Sequence, residues 1–121
     1  MFRIKVIDHF SAAHQLIGYP GRCEGLHGHN WKVEVEAEGE KLDEIGMLVD
    51  FKELKNLLHG VLKEIDHQHL NALEPFRNPN PSAELIARYI YYQLKSIIPP
   101  FVYLVSVSVW ESESSRASYY E

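Results

Sequence analysis

The sequence predicts an α+β domain in the order β-β-α-α-β-β, with two helices on one face of a four-stranded sheet. Three observations carry that reading. Two early stretches alternate apolar and polar residues with a period of two, as strands with one wet face do. Two central stretches repeat apolar residues at helical spacing. After Pro99-Pro100 the chain returns to alternation.

The first strand is expected over residues 2–12, where Ile4, Val6 and Phe10 share one parity against Arg3, Lys5 and His9. Gly18, Pro20, Gly21 and Gly25 mark a loop over 15–26. Residues 27–38 form the second strand. Trp31, Val33, Val35 and Ala37 face one way, and Lys32, Glu34 and Glu36 face the other. Asp50 can cap a helix, with Glu53 three residues on as in a capping box. Phe51, Leu54, Leu58, Val61, Leu62 and Ile65 form its apolar stripe. Residues 66–81 are an Asn- and Pro-rich loop. Ser82 caps a second helix with the stripe Leu85, Ile86, Tyr89, Ile90, Leu94 and Ile97, and the prolines stop it. Phe101 to Trp110 and Ala117 to Tyr120 complete the strands. Two helices cover one face only, so the charged face and the sheet edges point to oligomerisation.

A chain of 121 residues, 45% hydrophobic and 24% charged, is expected to form one domain spanning 1–121. Its net charge of −5 argues against a nucleic-acid partner. No apolar run approaches the ~18 residues of a membrane span. The start, Met1 to Lys5, lacks the apolar core of a signal peptide. The lone Cys23 cannot form an internal disulfide, so the expected location is cytoplasmic.

The segment Cys23-Glu24-Gly25-Leu26-His27-Gly28-His29 carries the chemistry. In an extended chain His27 and His29 point the same way and can share one ion. Gly28 leaves room for close backbone approach. His14 shares parity with Phe10 and Ala12, and it reaches the same ion if the first two strands pair as a hairpin. Three imidazoles with one open position describe a catalytic zinc site, although imidazole also suits iron, nickel and copper. The competing reading is a pair of surface histidines. Cys23 is open to three readings: an inert buried thiol, a fourth ligand closing a structural site, or a thiolate favoured by nearby positive charge.

Two further features stand out. In Asp66-His67-Gln68-His69 a carboxylate can orient an imidazole, His67 or His69, for proton transfer. The alternative is histidine favoured by a helix C-terminus. Glu111 continues the parity of Val105, Val107 and Val109. A buried carboxylate there needs a partner, such as the paired N–H donors of an aminopyrimidinone. Otherwise it is solvated or pairs with Arg116.

Taken together, these residues identify the chain as a member of a known family. Ala12 to His14, Cys23 to His29, Val49 to Phe51, Asp66 to Asn71, Pro81 to Glu84 and Val109 to Glu111 occur in the order found in the 6-pyruvoyltetrahydropterin synthase superfamily. Three residues between Cys23 and His27 resemble the bacterial and archaeal 6-carboxytetrahydropterin synthases. A variant branch has glutamate in place of or beside the cysteine, and Glu24 stands beside it here.

The resemblance implies a tunnelling fold of four antiparallel strands and two helices. Three copies close a barrel and two trimers stack into a hexamer. It implies zinc on His14, His27 and His29, pterin anchoring by Glu111, and a catalytic triad of Cys23, Asp66 and His67 completed across subunits. The implied reaction converts 7,8-dihydroneopterin triphosphate to 6-carboxy-5,6,7,8-tetrahydropterin, acetaldehyde and triphosphate, in queuosine-type deazapurine synthesis. The alternatives are 6-pyruvoyltetrahydropterin formation by triphosphate elimination, or a non-catalytic pterin- or zinc-binding module.

Overall fold

A computed structural model of the chain describes residues 1–18 and 25–121. Cys23 and Glu24 lie outside the described residues.

Strands β1 (Phe2–His14) and β2 (His27–Gly39) form one long antiparallel hairpin, in register from Phe2 opposite Gly39 to His14 opposite His27. The alternation works as expected on the core side. Val6, Phe10 and Ala12 of β1 and Trp31, Val33, Val35 and Ala37 of β2 are buried there. Helix α1 (Phe51–Leu62) begins where Asp50 accepts a hydrogen bond from the Lys52 N–H at 2.8 Å. Helix α2 (Ala83–Lys95) begins where the Ser82 hydroxyl accepts from the Leu85 N–H at 3.2 Å. Leu54, Leu58, Val61 and Leu62 of α1 join Ile86, Ala87, Ile90, Tyr91 and Leu94 of α2 in one core against the sheet. Phe51 and Ile97, placed on these stripes by spacing alone, are instead exposed at the helix ends.

The sheet departs from the expected four strands. Gln68–His69 form a short strand β3, giving the order β3-β1-β2-β4-β5 with β4 at Tyr103–Ser112 and β5 at Ser115–Tyr119. β3 runs parallel to β1, so the sheet is mixed. The reason is local. His67 takes a left-handed conformation (φ 58°), and its N–H donates to the Ser11 carbonyl, which turns the chain alongside β1. Two residues are too few to show any periodicity.

The charged face is also less wet than the alternation suggests. Glu34 is buried, with Lys5 Nζ at 3.2 Å, Lys32 Nζ at 3.4 Å and the Trp110 indole N–H donating at 2.9 Å. Burial pushes its carboxyl pKa up, but the two lysines and the indole outweigh burial and hold it below the usual range. Among the described residues, no helix is long and apolar enough to cross a membrane.

Candidate metal centre

The hairpin register builds the site. His14 and His27 are directly opposed across the β1–β2 ladder, and His29 lies opposite Ala12 on the same face. The three rings meet edge to face, with centroids 4.6 Å apart for His14–His27 and His27–His29 and 5.2 Å for His14–His29. Trp31 forms the floor beneath them. Its ring is 4.9 Å from His14 and 5.1 Å from His29, and its indole N–H donates to the Ala12 carbonyl at 3.2 Å.

The second ring nitrogens fix the tautomers. His14 Nδ1 lies 2.8 Å from the Pro81 carbonyl, and His27 Nδ1 lies 2.7 Å from the Gly25 carbonyl. A carbonyl only accepts, so each Nδ1 carries a proton, and in the neutral rings each Nε2 presents its lone pair. Those two Nε2 atoms face each other at 3.0 Å. Two lone pairs at that distance repel unless a cation, either a proton or a metal, lies between them. Glu111 Oε1 adds a negative charge 3.3 Å from His29 Nε2. One ligand atom from each of His14, His27, His29 and Glu111 lies within 4.8 Å of the others. Imidazole donors braced through Nδ1 by backbone carbonyls are what a zinc centre requires, so the residues present fit the ion.

Glu111 reaches this group from β4. The β4–β5 register shifts between Trp110 and Ser112, and a bulge of this kind re-aims a side chain. Arg116, weighed as its partner from sequence, instead lies 4.0 Å from Glu34 and over the Trp110 ring. Among the described residues, a Cβ added at Gly28 would meet the Ala12 carbonyl at an ordinary 3.9 Å.

Asp66 and His67 do not join the four-residue group. They sit at the edge of β1, where Asp66 Oδ1 accepts from the Ser11 N–H at 2.9 Å and lies 3.0 Å from His67 Nδ1. The geometry therefore pairs Asp66 with His67, and His69 lies on β3. The Ser11 N–H, with smaller help from His67, holds the Asp66 carboxyl below its ordinary pKa. The His67 ring is largely exposed at 80%, facing away from the chain's own core. Sequence reading missed the bracing carbonyls of Gly25 and Pro81, because backbone acceptors leave no signal in residue identity.

Comparison with known proteins now decides the family. Residues 3–121 match the sequence profile described as 6-pyruvoyl tetrahydropterin synthase. The chain belongs to the 6-pyruvoyl tetrahydropterin synthase family. It is 32% identical to a 6-carboxy-5,6,7,8-tetrahydropterin synthase of Haemophilus influenzae over the whole of both chains. It is 40% identical over 88 residues to a dihydroneopterin monophosphate aldolase of Pyrococcus furiosus, covering 73% of this chain and 72% of that one. Its fold superposes on the 6-pyruvoyl tetrahydropterin synthase of Caenorhabditis elegans with a TM-score of 0.87 and 29% identity, over 99% of this chain and 95% of the other. The tunnelling-fold expectation is thus met in an α+β subunit whose sheet is open within one chain.

Trp31 links the site to the core, which makes its removal informative. Trp31→Ala should cost about 3–5 kcal/mol of stability, the usual range for deleting a buried aromatic. Trp31→Phe keeps most of the ring and loses the bond to the Ala12 carbonyl, at about 1 kcal/mol. Urea unfolding of the two variants checks the ordering.

Proposed function

We propose that this family member is a lyase acting on a reduced pterin. In this reading it converts 7,8-dihydroneopterin triphosphate to 6-carboxy-5,6,7,8-tetrahydropterin, acetaldehyde and triphosphate, in a deazapurine pathway. The observation that carries the metal part is the opposed pair of imidazole lone pairs on His14 and His27. The relatives named 6-carboxy-5,6,7,8-tetrahydropterin synthase support the chemistry.

His14, His27 and His29 would hold zinc. Bound there, zinc supplies Lewis acidity that lowers the pKa of the substrate's side-chain hydroxyls. Cys23, as thiolate, takes a proton from the substrate side chain. His67, oriented by the Asp66 carboxylate, carries protons on the other side. Because the His67 ring faces outward, we assign the Asp66–His67 pair to the active site of a neighbouring copy. The assembly in this reading is a hexamer of two stacked trimers, each closing a barrel.

Glu111 anchors the aminopyrimidinone edge of the pterin, accepting two N–H bonds on one carboxylate. Glu111→Gln replaces one acceptor oxygen by a donor that opposes a substrate N–H. Losing a hydrogen bond to a charged group costs about 1.5–3 kcal/mol, so kcat/KM should fall roughly 10- to 100-fold with zinc retained. If Glu111→Gln instead loses its zinc, Glu111 is a ligand and the pterin anchor lies elsewhere.

A second reading is favoured by the aldolase relative at 40% identity. It cleaves the same kind of side-chain bond in a dihydroneopterin monophosphate. The two-carbon aldehyde released would then still carry its phosphate. The deciding experiment offers the zinc-loaded protein both the triphosphate and the monophosphate and identifies the products by mass. Acetaldehyde with a 6-carboxy product supports the first reading. A phosphorylated two-carbon aldehyde supports the second. A 6-pyruvoyl product keeps the site and replaces the carbon–carbon cleavage by elimination. Pterin binding without turnover reduces the chain to a binding module.

A further inference from the structure

The segment 66–81, read from sequence as an Asn- and Pro-rich loop, follows the free edge of β1 and the chain beyond it. Ser11 has its N–H on Asp66 and its carbonyl on the His67 N–H. Ala12 and Ala13 pair with β3. Where the strand ends, two side-chain amides take over. Asn71 Oδ1 accepts from the Gln15 N–H at 2.9 Å, and its Nδ2 donates to the Gln15 carbonyl at 2.8 Å. Asn80 does the same for Ile17, with both bonds at 2.9 Å. Each amide imitates one rung of a ladder, satisfying both polar groups of one residue.

The metal centre adjoins these rungs. His14 directly precedes Gln15, and Pro81 directly follows Asn80. The Pro81 carbonyl braces His14 Nδ1 at 2.8 Å. A chain held at 15 and 17 by Asn71 and Asn80 therefore keeps His14 and its bracing carbonyl at a fixed separation.

We infer that Asn71 and Asn80 are positioning residues for the metal centre. They touch neither metal nor substrate. They tie the segment that follows His14 to the segment that precedes Pro81, and so set the angle and tautomer at which the His14 Nε2 is offered. The inference rests on the reading of His14, His27 and His29 as metal ligands.

The test uses cobalt(II) as the probe. Affinity is measured by chelator competition, and ligand geometry by the cobalt absorption bands, on wild type, Asn80→Ala, Asn71→Ala and Asn71→Asp. The Asp variant puts an oxygen against the Gln15 carbonyl where a donor stood. Asn80 makes exposed bonds, so its variant keeps the fold even if the Asn71 variants do not. Loss of an outer partner of a ligand typically weakens metal binding roughly 10- to 100-fold; Asn71 and Asn80 act one step further out, through the chain that carries His14 and Pro81, so each variant should weaken cobalt binding by up to about 10-fold with altered bands. Leu94→Ala is the control. The end of α2 on which Leu94 sits ties through Glu121 to Tyr103, which pairs with Glu38 at the far end of β2 from His27. It should lower the melting temperature and leave cobalt affinity unchanged. Wild-type affinity and bands in Asn80→Ala and the folded Asn71 variants overturn the inference. So does a parallel loss in Leu94→Ala, which would make the effect one of general stability. A wild-type protein that binds neither cobalt nor zinc overturns the metal-centre reading itself, and this inference with it.

Discussion

Cys23→Ala should nearly abolish turnover while the protein keeps its zinc. Removing a group that transfers a proton in the rate-limiting step usually costs about 10²- to 10⁴-fold. The reasoning is chemical. A thiol near a cation is biased towards thiolate, the form able to accept a proton. Three imidazoles already hold the metal in the proposed site, so the thiol is free for that work. Single-turnover rates and zinc content, measured on one preparation, check both halves. If zinc leaves with the thiol, Cys23 is a fourth ligand, the site is structural, and the proton-transfer mechanism goes with it.

His27→Ala should produce the opposite pattern, with metal and activity lost together and the fold retained. His27 sits at the end of β2, more accessible than the buried His14, so its truncation leaves little cavity. Removing it leaves two imidazoles where an open-sited zinc needs three protein ligands. It also removes the lone pair that faces His14 Nε2. Thermal melting without metal should stay near that of wild type, because His27 is only partly buried. With metal, only the wild type should gain stability, because a ligand that binds the folded state alone stabilises it. Equal zinc content in the two proteins would remove His27 from the ligand set.

Much of this was legible in the sequence because the site is built on regular strands. His14, His27 and His29 follow from a period of two and one hairpin register, and both are coded by burial of Phe10, Trp31 and Val33. Both helix starts were legible because Asp50 and Ser82 act locally. The strand β3 was not legible. It is two residues long, and it depends on a left-handed His67 and on a carbonyl 56 residues away in sequence. The burial of Glu34 was hidden for a related reason. Alternation assigns it to the polar face, and only the strand neighbours reveal the lysines and the indole that enclose it. Asn71 and Asn80 read as loop residues because their partners are backbone groups, which have no residue identity to recognise. Of the two histidines weighed beside Asp66, it is His67 whose ring the carboxylate contacts, at 3.0 Å from Nδ1.

Zinc-edge X-ray absorption on the zinc-loaded protein tests the central claim most directly. The account predicts one zinc per chain with three imidazole nitrogens at about 2.0–2.1 Å, a fourth light atom from solvent, and no sulfur shell. A sulfur neighbour at about 2.3 Å, or zinc bound without imidazole, would contradict it.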